Sequence, residues 1–174
     1  MRVLSWNVCG LDAAVRKTLT ALVHRTGADI LCLQETHLTP EIPLEAPDSW
    51  SVTRADGDSH SCGVLIATRR TIDAIDLPES GGRLAAVRLG SLWLVNVYLP
   101  TLGAGTDGER LALRRAWNDR LCAYLAALLR EGPVLLAGDL NAVAGELDAA
   151  ERHSRTAARN RPFRTDDDDV FRQL

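Results

Sequence analysis

The chain has 174 residues, of which 46% are hydrophobic and 25% are charged. This length and composition fit one domain with a sizeable core and exclude a disordered or collagen-like chain. The formal net charge of −3 excludes a global basic field, so a nucleic-acid substrate would have to be held by local contacts.

Hydropathy and cysteine spacing predict where the protein resides. No apolar run approaches the ~20 residues that a membrane helix needs, and the N-terminal segment lacks the apolar stretch of a signal peptide. The four cysteines form neither a CxxC pair nor a zinc-binding spacing. We therefore expect reduced, partly buried thiols in a cytoplasmic protein that has no membrane partner.

The first half of the chain predicts one helix among several strands. Residues 2–8 predict a short strand, and residues 12–26 predict an amphipathic helix that ends at Gly27. Residues 29–34 are almost continuously apolar, which is typical of a strand buried on both faces. Further strands, separated by glycine-containing turns, are predicted at residues 50–54, 63–68, 72–76, 83–89 and 92–98.

The second half predicts a long helix, a strand and a basic segment. The helix runs from about residue 107 to 131 and ends at Gly132-Pro133. Its expected apolar face comprises Leu113, Trp117, Leu121, Leu125 and Leu128. Residues 133–138 predict another buried strand. The arginines of residues 151–165, among them Arg152 and Arg155, predict a solvated loop or, alternatively, a contact with the DNA backbone.

Polar side chains follow several of the predicted apolar strands. The strands end at Asn7, Glu35, Tyr98 and the triplet Asp139-Leu140-Asn141. In sheets covered by helices, ligands usually bind at the carboxyl ends of strands. Any one of these residues could be a turn residue. Four such endings with amide, carboxylate and phenol groups favour a shared site.

Four of these segments resemble the endonuclease/exonuclease/phosphatase superfamily. They are Ser5–Gly10, Leu33–Thr36, Asn96–Pro100 and Gly138–Asn141, and they occur in the family's order. The resemblance implies an α/β (α+β) fold, a four-layer αββα sandwich of the DNase I-like type. It also implies a phosphoesterase site that depends on Mg²⁺ or Mn²⁺.

The resemblance assigns a role to each matching residue. Glu35 resembles the carboxylate that binds the metal, and Asn7 resembles its polar neighbour in the metal site. Asp139 resembles the residue that orients or deprotonates the attacking water. Asn141 resembles an amide that positions the phosphate or the nucleophile, and Tyr98 a phenol that contacts the scissile phosphate. Elementary chemistry agrees, because Mg²⁺ prefers hard oxygen ligands and uses only one or two protein carboxylates.

Tyr98 indicates a branch of the superfamily. In the DNase I, sphingomyelinase and inositol-phosphatase branches the corresponding motif usually carries histidine, whereas exonuclease III and AP endonucleases carry tyrosine. The chain is therefore similar to the exonuclease III/AP-endonuclease-like branch, with DNA as the expected partner. His37 departs from the lysine that many AP endonucleases have there, so abasic-site specificity does not follow.

Complete members of the family carry a later aspartate and a C-terminal Ser-Asp-His. This chain ends before either could occur. We therefore expect residues 1–174 to be a single family domain without its C-terminal part, and the sandwich to be incomplete in its second half. A longer chain, a second chain or self-association would then complete it.

Three hypotheses for function remain open at this stage. The first is a metal-dependent phosphodiesterase that hydrolyses DNA by in-line attack of water. The second is a small-molecule or lipid phosphatase or phosphodiesterase of the same superfamily. The third is a non-catalytic partial domain that needs a partner or the missing C-terminal segment.

Overall fold

The computed structural model of the chain describes residues 1–42, 49–57, 62–101 and 108–142. Its elements in chain order are β1 (Val3–Asn7), α1 (Ala13–Thr26), β2 (Ile30–Gln34), β3 (Ser51–Ala55), β4 (Val64–Thr68), β5 (Ala74–Asp76), β6 (Leu84–Leu89), β7 (Leu92–Tyr98), α2 (Gly108–Leu129) and β8 (Val134–Asp139). Every helix and strand predicted before residue 140 is confirmed, with bounds that differ by no more than two residues. The basic segment with Arg152 and Arg155 lies outside the described residues.

Two compact units divide the chain. The first comprises residues 1–98 and 128–139, and the second comprises residues 99–127 and 140–174. The first unit contains both sheets and α1, and the second contains most of α2. The sequence-based prediction of a single domain remains a prediction.

Sheet A, with the strand order β1-β2-β4-β3, carries α1 on one face. All five residues of β2 are buried, as the apolar run predicts, because both faces of this strand are covered. Leu31 and Leu33 pack with Leu19 and Val23 of α1, whereas Ile30 and Cys32 belong to the core on the opposite face. This alternation decides which side chains of β2 face α1 and which face the core on the other side of sheet A.

Helix α1 begins and ends at residues suited to capping. The Asp12 side chain accepts a hydrogen bond from the Val15 N–H at 2.8 Å, which satisfies an otherwise unpaired donor of the first turn. Gly27 adopts a left-handed conformation, with φ of 61°, and donates to the Val23 carbonyl. The helix is thereby confined to the length that covers sheet A.

Sheet B, with the strand order β5-β6-β7-β8, packs against sheet A through a shared core. Val64 and Ile66 of sheet A lie in one cluster with Val87 and Leu94 of sheet B. A buried amide pair also crosses this interface, since Gln34 Nε2 donates to Asn96 Oδ1 at 2.7 Å. Asn96 Nδ2 in turn donates to the carbonyls of Leu33 and Leu65, at 2.9 and 3.0 Å.

The buried face of α2 agrees with the prediction in the second half of the helix and differs from it in the first half. Leu113 was expected on the apolar face, but its side chain is 60% exposed, whereas Arg114 is only 2% exposed. The buried stripe consists of Arg114, Asn118, Leu121, Leu125 and Leu128. Leu121, Leu125 and Leu128 are buried as predicted. In the first half of the helix the prediction lies one position too early, at Leu113 and Trp117, because a buried arginine was counted as a surface residue.

None of the four cysteines forms a disulfide bond. Cys32 and Cys62 are buried, and Cys9 is exposed. In the described part of the chain, neither helix combines the length and the apolar character needed to cross a bilayer.

Candidate active site

Two parallel strand pairs bring the polar strand ends together. In sheet A, β1 and β2 are parallel, with Asn7 opposite Gln34, so Glu35 follows directly beside Asn7. In sheet B, β7 and β8 are parallel, with Tyr98 opposite Asp139. The carboxyl ends of parallel neighbours lie at the same edge of a sheet, which is why side chains distant in sequence meet here.

The side chain of Asn7 joins the two carboxylates. Asn7 Nδ2 donates to Glu35 Oε1 and to Asp139 Oδ2, at 2.8 Å in each case. Asn7 Oδ1 accepts the N–H of Cys9 at 3.1 Å, which fixes the orientation of the amide. The structure therefore brings together the residues that the sequence assigned to the metal and to the attacking water. The side-chain nitrogen of Asn7, which cannot ligate a metal, is the atom that faces the two carboxylates. Direct metal ligation by Asn7 therefore remains a prediction.

Glu35 is held in an unusual backbone conformation. Its φ of 52° lies in the left-handed region, which residues other than glycine rarely adopt. The Glu35 carbonyl accepts the N–H of Gly10 at 2.7 Å, and the next N–H, of Thr36, donates to the Gly63 carbonyl at 3.1 Å. Such strain persists only where neighbours fix the chain, and it clusters at functional sites.

The surroundings of Glu35 favour its ionised form. Burial by itself would raise the pKa of Glu35, but hydrogen bonds from Asn7 and Tyr98 and the nearby His37 outweigh it, so the pKa lies below its ordinary value. His37 Nε2 lies 3.5 Å from Glu35 Oε2. A half-buried carboxylate kept ionised in this way suits a cation ligand.

The donor set of this site fits a hard divalent cation. Two carboxylates, from Glu35 and Asp139, converge on one amide and supply oxygen atoms only. Within the described ranges no cluster of three histidine, cysteine, aspartate or glutamate residues could hold a metal ion. Carboxylate oxygens are the protein ligands that Mg²⁺ prefers.

Asn141 and Arg114 lie in the second unit. Asn141 has a φ of 46°, and its Nδ2 donates to the Leu99 carbonyl at 2.7 Å. Arg114 donates to the carbonyls of Pro100 and Leu140 and to Asn118 Oδ1. Arg114 thus fixes the two segments that follow Tyr98 and Asp139 in the sequence. The sequence reasoning missed it, because an arginine within a helix has the pattern of a solvated residue.

Arg83 is a second residue that the sequence reasoning missed. Its guanidinium carbon lies 4.9 Å from the centroid of the Tyr98 ring, and Nη1 donates to the Tyr98 carbonyl at 3.3 Å. The sequence could have indicated this pairing. Leu89 lies opposite Leu92 across the Gly90-Ser91 turn, and counting outward from this pair places residue 83 opposite residue 98.

Comparison with known proteins identifies the family. Residues 4–171 match the Endonuclease/Exonuclease/phosphatase family. The chain is 32% identical over 161 residues to a DNA-(apurinic or apyrimidinic site) endonuclease of Dictyostelium discoideum, which covers 85% of this chain and 44% of that protein. It is 31% identical over 159 residues to an exodeoxyribonuclease of Bacillus subtilis, covering 85% of this chain and 61% of that protein. The chain thus spans about half the length of these relatives.

Solved structures agree with the fold. An AP endonuclease from Archaeoglobus fulgidus matches 99% of this chain and 69% of its own, with a TM-score of 0.79 and 21% identity. A 3′ phosphatase from Neisseria, bound to a product DNA hairpin, matches with a TM-score of 0.81 and 21% identity, over 100% of this chain and 70% of its own. The fold class expected from the sequence, an αββα sandwich of the DNase I-like type, is confirmed by this likeness.

Proposed function

Because the chain belongs to the endonuclease/exonuclease/phosphatase family, we propose that it is a metal-dependent phosphodiesterase that hydrolyses DNA, in the exonuclease III/AP-endonuclease-like branch. The observation that carries this proposal is the convergence of Glu35 and Asp139 on the Asn7 amide. The names of the relatives, a DNA-(apurinic or apyrimidinic site) endonuclease and an exodeoxyribonuclease, support DNA as the substrate.

Glu35 is the carboxylate that would hold Mg²⁺ or Mn²⁺, beside Asn7. When bound, this cation neutralises charge on the phosphoryl oxygens and on the leaving oxygen. The hydrogen bonds from Asn7 and Tyr98 and the nearby His37, which lower the pKa of Glu35, favour the ionised carboxylate, and this is the form that binds a cation. Asn7 keeps both carboxylates in a fixed orientation, which limits the reorganisation needed for binding.

Asp139 orients the attacking water and accepts its proton as the water oxygen bonds to phosphorus. The phosphorus–oxygen bond on the opposite side of the phosphate breaks, and the leaving oxygen departs with the other end of the cleaved strand. Its position opposite Tyr98 places the carboxylate and the phenol at one end of the parallel pair β7–β8. Tyr98 contacts the phosphate undergoing attack, and the residue is 8% exposed, so packing restricts its ring before substrate binds. Asn141 positions the phosphate or the nucleophile by its amide, as the resemblance implies.

A panel of substrates tests this proposal. The purified chain would be assayed, with Mg²⁺ and with EDTA, on a plain duplex, a duplex with one abasic site, a duplex with a 3′-phosphate end and a small phosphate ester. We expect cleavage of a DNA substrate that stops in EDTA. Glu79 is an exposed carboxylate outside the site, so Glu79→Gln serves as a control variant and should leave the rate of cleavage unchanged.

Two other outcomes would point to the remaining hypotheses. Turnover of the small ester without DNA cleavage would replace the DNA assignment by a small-molecule phosphatase. A folded sample that cleaves nothing in any metal would contradict catalysis by this chain alone. The last outcome would favour a partial domain, in keeping with the 44% and 61% of the relatives' lengths that it covers.

A further inference from the structure

Arg83 is built into the structure around Tyr98. The Tyr98 N–H donates to the Arg83 carbonyl at 2.8 Å, and Arg83 Nη1 donates back to the Tyr98 carbonyl at 3.3 Å. The guanidinium then lies over the aromatic ring, 4.9 Å from its centroid. This cation–π contact holds a long side chain in one orientation at the edge of the active site.

Within the fold, the charge of Arg83 faces the Tyr98 ring and is not neutralised by a carboxylate of the described residues. A guanidinium carries five N–H donors, and Arg83 makes one hydrogen bond with them to the part of the chain that the structure describes. The side chain is half-buried, so the remaining donors form a preorganised fork.

We propose that Arg83 is a substrate-binding residue that contacts a backbone phosphate of the bound DNA strand, at or next to the phosphate that Tyr98 contacts. This inference rests on the proposed function. A planar guanidinium matches two phosphate oxygens and remains charged at every relevant pH. Its charge also offsets the repulsion that Glu35 and Asp139 exert on an anionic strand.

Arg88 provides a matched control for Arg83. Both arginines belong to the same stretch of chain, one before the first residue of β6 and the other near its last residue. Both are half-buried, and Arg88 likewise makes one side-chain hydrogen bond, from Nε to the Gly90 carbonyl at 3.0 Å. Arg88 lies opposite Trp93, at the far end of β7 from Tyr98.

The test is DNA binding as a function of salt, measured by fluorescence anisotropy of a labelled duplex in EDTA, where no turnover occurs. Arg83→Ala should weaken binding about tenfold and should reduce the slope of log K against log salt by about 0.9, since one phosphate contact is lost. Arg83→Lys should preserve the slope and recover part of the affinity. Arg88→Ala should change neither quantity. An unchanged slope in Arg83→Ala would overturn the inference.

Neutral methylphosphonate linkages locate the contacted phosphate. A methylphosphonate at that phosphate should weaken binding by the wild-type chain and have no further effect on Arg83→Ala. Placing it at the scissile linkage and then at each adjacent one distinguishes the two positions. Equal losses in both proteins at every linkage would contradict the contact.

The same data separate this inference from the proposed function. If the wild-type chain binds DNA with the Arg83-dependent slope but cleaves no substrate, the proposed function fails and the contact remains. If it cleaves DNA and Arg83→Ala matches Arg88→Ala in slope and affinity, only the contact fails. A wild-type chain that binds no DNA overturns both.

Discussion

Replacing Asn96 with leucine removes the polar link between the two sheets while nearly preserving side-chain volume. Asn96 is fully buried, and it takes part in three hydrogen bonds, with Gln34 and with the carbonyls of Leu33 and Leu65, at 2.7–3.0 Å. Each such bond contributes about 0.5–1.5 kcal/mol net, so the free energy of unfolding should fall by roughly 2–4 kcal/mol. For a chain of this size that corresponds to a loss in Tm of roughly 5–15 °C.

Gln34, the hydrogen-bond partner of Asn96, provides a second variant that tests the same link. Gln34 is 1% exposed and also donates to Ser5 Oγ and to the Cys32 carbonyl, so Gln34→Met should be destabilising as well. Because each single variant leaves a buried polar group with fewer partners, the double variant should lose less than the sum of the two, by about 1 kcal/mol or more.

Urea unfolding, followed by the fluorescence of the four tryptophans, measures these differences. Thr68→Val is the control, since Thr68 is equally buried in sheet A but makes only a 3.4 Å contact with the Asp29 carbonyl and accepts one N–H. It should cost no more than about 1.5 kcal/mol. Strictly additive losses in the Gln34 and Asn96 variants, or a loss in Asn96→Leu no larger than in Thr68→Val, would refute the argument.

Three further predictions concern the metal, the backbone and the thiols. Mg²⁺ at tenfold its Kd should stabilise the chain by about 1.4 kcal/mol, which calorimetry would detect as a rise in Tm. Glu35→Gln should abolish this rise. A rise of equal size in the variant would contradict metal binding at Glu35. Gly138→Ala should cost roughly 1–3 kcal/mol in urea unfolding, because its φ is 140° and a Cβ would collide with the Val97 backbone. A Cβ at Gly108 would meet nothing within 4 Å, so Gly108→Ala should not lower the free energy of unfolding. Equal stability of the two variants would refute the packing argument. Burial raises the pKa of Cys32 to about 12, so at pH 8 a thiol reagent should label the exposed Cys9 before Cys32. Mass spectrometry measures the two labelling rates, and equal rates would contradict the burial of Cys32.

The sequence predicted the strands and the main side chains of the site because both depend on local pattern. The apolar run of β2 and the capping of α1 at Gly27 are properties of neighbouring residues. Glu35 and Asp139 stood out because each follows an apolar strand, and the parallel pairing of those strands with their neighbours brings them to Asn7.

The residues that were missed have the pattern of surface residues. Arg114 is distinguished only by its bonds to the carbonyls of Pro100 and Leu140, which the sequence does not indicate. The register of the β6–β7 hairpin indicates that Arg83 lies opposite Tyr98, but its contact with the Tyr98 ring is seen only in the structure. Leu113 was placed on the wrong side of α2 for the same reason, since burying a polar residue such as Arg114 shifts the face that helical spacing predicts. Tertiary contacts override local pattern at these positions.

Single-turnover cleavage of a labelled DNA duplex by the wild-type chain and by Asp139→Asn tests whether Asp139 accepts the proton of the attacking water. The substitution is isosteric and leaves an oxygen toward Asn7, so circular dichroism and Tm should show a folded variant. Losing the group that accepts the proton from water should lower the rate by ~10²–10⁴-fold, with EDTA abolishing what remains. Cleavage by folded Asp139→Asn at the wild-type rate would contradict the account of the site.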